Sequence, residues 1–127
     1  ARKIAALGVA SVSLADTIGA ADSALIHRVV TTAIREITEC EIGVHLHSTR
    51  ADAASKILAA YDAGCRRFDS AVGGLGGCPF AQNDLVGNIP TEEVLGALRN
   101  RDASVLSQNS LEHVATLNAA IAAEFAG

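Results

Sequence analysis

Hydrophobic and polar positions along the chain fall into two alternating rhythms. Residues 10–15 (ASVSLA), 40–46 and 65–71 are short runs of strand length. Between them the period lengthens. Over residues 22–37, Leu25, Val29, Ala33 and Ile37 recur on one helical face. Residues 52–62 form a second helix, and Gly64 beyond it suits the left-handed residue that ends helices. Residues 72–90 read as a long glycine-rich loop. Thr91 is expected to cap the next helix, with Glu92 and Glu93 in the first turn, where the helix dipole favours them. A last helix is expected over 111–125, capped by Ser110, with His113, Leu117 and Ile121 on one stripe. Residues 1–7 read as a helix end stopped by Gly8.

Strands and helices alternating at this spacing imply βαβ units, hence an α/β fold with a parallel sheet. Right-handed crossovers bring all strand C-terminal ends to one edge. The polar clusters fall at those ends: Asp16 after the first strand, His45 and His47 at the second, the glycine-rich loop after the third. A (β/α)8 barrel shows this arrangement at its catalytic rim. Such a barrel needs about 250 residues, and three strands cannot close one. The expectation is a partial TIM barrel over residues 1–127 as one domain: three parallel βα units from its C-terminal part and a final helix. Its open edges call for partners, from missing barrel chain or from another copy in a homo-oligomer. The chain starts on Ala and contains no Met, which also suggests a fragment.

Composition narrows the classes. Half the residues are hydrophobic and 19% are charged, as in a globular domain. With one Tyr, three Phe and no Trp, the core must come from Ala, Val, Leu and Ile. A net charge of -4 leaves no basic field for nucleic acid. No apolar run reaches the ~18 residues of a membrane span, and residues 1–10 do not form a secretory leader. Cys40, Cys65 and Cys78 are odd in number and widely spaced, which suits a reducing, cytoplasmic setting rather than a disulfide framework.

Four features carry candidate chemistry. In His45-Leu46-His47 the two imidazoles, at i and i+2, share a strand face and could reach one metal ion; one exposed and one structural histidine is the competing reading. The loop GGLGGCP at 73–79 presents Cys78 among four glycines, with Pro79 fixing the backbone after it. It is a poor phosphate cradle, because the next helix starts thirteen residues after Cys78 rather than directly. Cys40 and Cys65, within elements, read as packing. Gly87-Asn88 alone would be a turn. Asp16 stands where barrel enzymes place catalytic groups, but could equally cap the turn that follows.

Taken together, SLADTIG at 13–19, HLH at 45–47, FDSAVGGLGGCPFA at 68–81 and GNIPTEEVL at 87–95 resemble the 3-hydroxy-3-methylglutaryl-CoA (HMG-CoA) lyase family. The likeness covers about residues 3–98 and is most specific at the glycine–cysteine loop. It implies a carbon–carbon lyase that splits an acyl-CoA thioester, HMG-CoA, into acetoacetate and acetyl-CoA with a divalent cation, Mg²⁺ or Mn²⁺. By the same resemblance, His45, His47 and Asn88 are metal ligands. Cys78 is the acid/base thiol, Asp16 lies beside the substrate, and Gly74, Gly76 and Gly77 belong to the cofactor-binding active-site loop. A eukaryotic member would sit in the mitochondrial matrix.

Two departures stand out. The family's remaining metal-binding Asp, preceded by Arg near the end of the first barrel strand, has no counterpart here, so the chain alone is expected to be inactive. Many members have Asp after HxH, where this chain has Ser48. Isopropylmalate and homocitrate synthases share the ADT and HxH elements but lack this cysteine loop. An HxH hydrolase would want a further ligand, for which Asp69 is the candidate. A non-catalytic truncated product is the third alternative.

Overall fold

The computed structural model describes residues 1–76, 86–101 and 108–125, with side chains of the last helix described over 111–124. A short helix α1 (Arg2–Ala5) turns through Gly8 into strand β1 (Ser11–Asp16). Helix α2 (Ser23–Glu36) starts where the Asp22 carboxylate accepts from the Leu25 amide at 2.7 Å. Strand β2 (Glu41–Ser48) follows, then helix α3 (Arg50–Asp62), capped by the Thr49 hydroxyl. Strand β3 (Arg67–Asp69) completes a parallel sheet in the order β1-β2-β3. Beyond it lie a 3-10 turn (Val72–Gly74), the two-residue strand β4 (Gly87–Asn88), helix α4 (Thr91–Arg99) and helix α5 (Gln108–Phe125).

The sheet has two unlike faces. Val44 and Leu46 of β2 pack with Ile26 and Val30 of α2, Ala53, Ile57 and Ala60 of α3, and Val94 and Leu98 of α4. A second apolar cluster, Ala5, Val12, Ile37 and Ile42, closes the opposite end of the strands. The alternate positions, Ser13, His45, His47, Arg67 and Asp69, lie on the other face. Helices on a single face separate this sheet from the doubly wound kind and give it the layering of a barrel wall.

Several boundaries differ from those the sequence suggests. The third strand is three residues long rather than seven. Cys65 is drawn into the end of α3, its amide donating to the Ala60 carbonyl while Gly64 donates to Tyr61, a Schellman closure. Ala71 leaves the sheet to pair with Pro90: its amide donates to Ile89 and its carbonyl accepts from Thr91. That carbonyl serves the start of α4, so Thr91 is the first helical residue rather than the cap, and its hydroxyl meets Ser70 at 2.9 Å.

Helix α5 begins before Ser110, and its apolar stripe is turned outward. Leu117 and Ile121 are more than half exposed, while Leu111, Ala115, Asn118 and Ala122 form the less exposed face. In α2 the buried positions are Ile26 and Val30, one step from the predicted Leu25 and Val29. Those two instead border a groove of about 210 Å³ against Leu14, Val44 and Leu46 at the free edge of β1.

Ile57 is fully buried at the centre of the α3 contact. Ile57→Ala is expected to lower unfolding free energy by about 2–5 kcal/mol, read by urea titration monitored by circular dichroism.

Candidate functional site

The central strand carries the site because it runs furthest past the sheet. At its C-terminal end β4 folds back antiparallel, pairing His47 with Asn88 and Ser48 with Gly87. Paired residues project to the same face, and His45 lies two residues back on that face. The two imidazole centroids stand 5.2 Å apart at an interplanar angle of 62°. His45 is half-buried. His47 is 4% exposed, and its Nδ1 is buried with no hydrogen-bond partner among the described residues.

Asn88 is also committed. Its amide nitrogen donates to the carbonyls of Leu75 at 3.0 Å and Gly76 at 3.1 Å. An amide with its NH₂ used in this way has its carbonyl oxygen left for a cation. Two imidazoles and an amide oxygen on one face thus fit a divalent ion, and the orphaned Nδ1 is the atom that such an ion would satisfy. Among the described residues no group of three His, Cys, Asp or Glu side chains could hold a metal. Cys78 and Gly77 lie outside the described residues. Gly74 and Gly76 lie in the described arm before them, both in left-handed backbone with φ of 69° and 80°.

Asp16 is placed elsewhere. It pairs in register with Leu46, not with a histidine, and therefore faces the helix layer. Both its oxygens accept from loop amides, Ala20 at 3.0 Å and Ala21 at 3.1 Å, and Lys56 lies 3.4 Å away. This is the turn-capping geometry of the two readings its sequence position allows.

Lys56 is the buried residue at this rim that the sequence reading missed. It is 5% exposed, and its ammonium donates to the Gly19 carbonyl at 2.9 Å, to the His47 carbonyl at 3.1 Å and to Asp16. Three donors meet three acceptors, so the buried charge is matched. The signal was present: Ala53, Lys56, Ile57 and Ala60 follow the i, i+3, i+4, i+7 spacing of the buried stripe. Gly19 completes this knot. Its φ is 67°, and a Cβ there would stand 3.1 Å from the His47 carbonyl oxygen and 2.6 Å from Val86.

On the histidine face, the Ser13 hydroxyl donates to Asp69 at 2.6 Å, reaching across β2 at Gly43, where no side chain stands. Asp69 ends β3 beside His45 in register, with Arg67 3.7 Å from its other oxygen. Ser48, in the place of the family's frequent Asp, is buried with its hydroxyl unpartnered among the described residues. Cys65 stands apart. Burial pushes its thiol above the ordinary range, and its Sγ lies 3.1 Å from the Arg67 carbonyl. It stays protonated near neutrality, a packing residue as its position in the sequence implies. The stability this burial gives is present below the ordinary thiol value and declines as pH rises through it.

Lys56→Met removes the buried cation and leaves Asp16 as a half-buried, less compensated carboxylate. The expected cost is about 3–5 kcal/mol, measured by urea denaturation near neutral pH.

Comparisons with known proteins give the family and the fold. The chain is 37% identical over 95 residues to hydroxymethylglutaryl-CoA lyase YngG of Bacillus subtilis, covering 75% of this chain and 31% of that protein. It is 38% identical over 89 residues to (R)-citramalyl-CoA lyase of Chloroflexus aurantiacus, covering 70% and 28%. The crystal structure of HMG-CoA lyase from Brucella melitensis superposes with a TM-score of 0.80 at 30% identity, covering 94% of this chain and 42% of that one. The chain therefore spans about a third of the length of these curated relatives. The sheet, with helices on one face, is an arc of a TIM barrel. The HMGL-like family model matches residues 1–121, and the chain belongs to that family.

Proposed function

We propose that this chain carries the metal-binding rim of a carbon–carbon lyase acting on a CoA thioester of a tertiary 3-hydroxy acid, HMG-CoA in the first instance. The observation that supports this most is the pairing of His47 with Asn88 at the end of the strand that also carries His45. His45, His47 and Asn88 would hold the cation, Mg²⁺ or Mn²⁺. When bound, such an ion supplies Lewis acidity and orientation for a substrate hydroxyl and carboxylate.

The residues of the chain take the remaining roles. Lys56 and Gly19 fix the His47 backbone from which the imidazole projects. Asp16, through its bonds to Ala20, Ala21 and Lys56, is a positioning residue for the loop after β1. Cleavage takes the proton from the 3-hydroxyl, breaks the bond between C2 and C3, and releases acetoacetate. The acetyl-CoA enolate then needs a proton on carbon, and the thiol of Cys78 is the proposed donor. The unpaired thiols of Cys40 and Cys65 fit a reducing compartment, cytoplasmic or mitochondrial-matrix.

Cys78→Ala in the full-length protein is expected to lower kcat by about 10²–10⁴-fold with Mn²⁺ affinity unchanged. Turnover close to that of the unsubstituted enzyme would remove the thiol from the mechanism. Parallel assays with citramalyl-CoA identify the acyl group that the site prefers.

We propose further that the 127-residue chain does not turn over by itself, because the Arg and Asp that the family places on the first barrel strand are not among its residues. Purified chain is expected to release no acetyl-CoA above the no-enzyme rate. Measurable, metal-dependent release by a preparation of the correct mass would overturn this.

A further inference from the structure

The arm formed by residues 72–76 is held at three points. The Gly73 amide donates to both carboxylate oxygens of Glu92, at 3.1 and 3.0 Å. The Asn118 amide nitrogen of α5 donates to the Val72 carbonyl at 3.0 Å. Both of these hold the near end. The far end, Leu75 and Gly76, is held by the Asn88 side chain. The contact is close along its length: a Cβ at Gly74 would stand 3.0 Å from the Asn88 carbonyl oxygen, and one at Gly76 3.3 Å from its Nδ2.

We infer that Asn88 is a positioning residue that couples cation occupancy to the placement of this arm, an inference that rests on the metal site proposed above. The amide is one conjugated unit. A cation on Oδ1 withdraws electron density from Nδ2, makes its N–H groups better donors and strengthens both bonds to the arm. The coupling is reciprocal: an arm seated on Nδ2 makes Oδ1 a better ligand. Among the described residues His45 and His47 have no such link to the arm, so the coupling belongs to Asn88. An aspartate in its place could still ligate the ion but offers no N–H, and turns a carboxylate oxygen toward two carbonyls.

The test is amide hydrogen exchange on the full-length protein, with and without saturating Mn²⁺, the bound ion being counted by electron paramagnetic resonance. Exchange over residues 72–76 is expected to slow by about threefold or more on Mn²⁺ binding, with α3 unchanged. In Asn88→Asp, Mn²⁺ is expected to bind without that slowing. Mn²⁺ bound to the unsubstituted protein with no change in the arm overturns the coupling and leaves the metal site standing. Slowing retained in Asn88→Asp overturns the role of the amide. Failure of the unsubstituted protein to bind Mn²⁺, or binding indifferent to His45→Ala and His47→Ala, overturns the metal site and the coupling with it. The comparison on the unsubstituted protein decides even where the aspartate variant does not fold.

Discussion

A single buried ammonium holds the end of this sheet together. Lys56 leaves α3, enters the apolar layer and ends between the turn after β1 and the last residues of β2. A cation withdrawn from water must find compensation close by, and here Asp16 and two carbonyls supply it. One of those carbonyls belongs to His47. The helix layer thus fixes the backbone from which an imidazole projects to the opposite face, and a stability element and a chemical element share one peptide group. The glycine at position 19 is part of the same requirement, since no side chain fits between that turn and β2.

The division of labour between the faces follows from the pleat. Residues at even positions of β2, Ile42, Val44 and Leu46, build the core against the helices. Odd positions, Gly43, His45 and His47, face away from them, next to Ser13, Arg67 and Asp69. In a closed barrel that second face is the interior. The hydroxyl–carboxylate bond from Ser13 to Asp69 ties the two outer strands together across the middle one and places a negative group beside His45. Polar side chains that look scattered along the sequence are consecutive rows of one surface.

Much of this was legible in the residues. The three parallel strands, the order of the helices and the placing of HLH at a strand end follow from period and punctuation, whereas Gly87-Asn88 read as a turn and its pairing with β2 was not foreseen. What the sequence did not show has physical causes. Leu25 and Val29 have the right spacing for burial, but periodicity does not distinguish one apolar stripe from its neighbour when the sheet edge beside it is open. The stripe of His113, Leu117 and Ile121 in α5 shows the same ambiguity. Thr91 has the chemistry of a cap, yet a carbonyl distant in sequence, that of Ala71, does the work instead. Lys56 was passed over because a helical lysine ordinarily reaches water, and its tertiary partners are 9 to 40 residues away. Asp16 was placed correctly at the rim, but the face it takes depends on register with β2, which a single strand does not reveal.

The clip made by Gly87 and Asn88 is sensitive to residue spacing on one side. Asn88 is located by its pairing with β2 on one side and by the Ala71–Pro90 bridge on the other, both independent of the number of residues joining Gly76 to Val86. The mutual arrangement of His47 and Asn88 is set by these two pairings. A single residue added between Asn88 and Pro90 would rotate the amide to the wrong side of the strand. The short tract from Asn88 to Pro90 is therefore under strict spacing, set by backbone pairing on both of its sides.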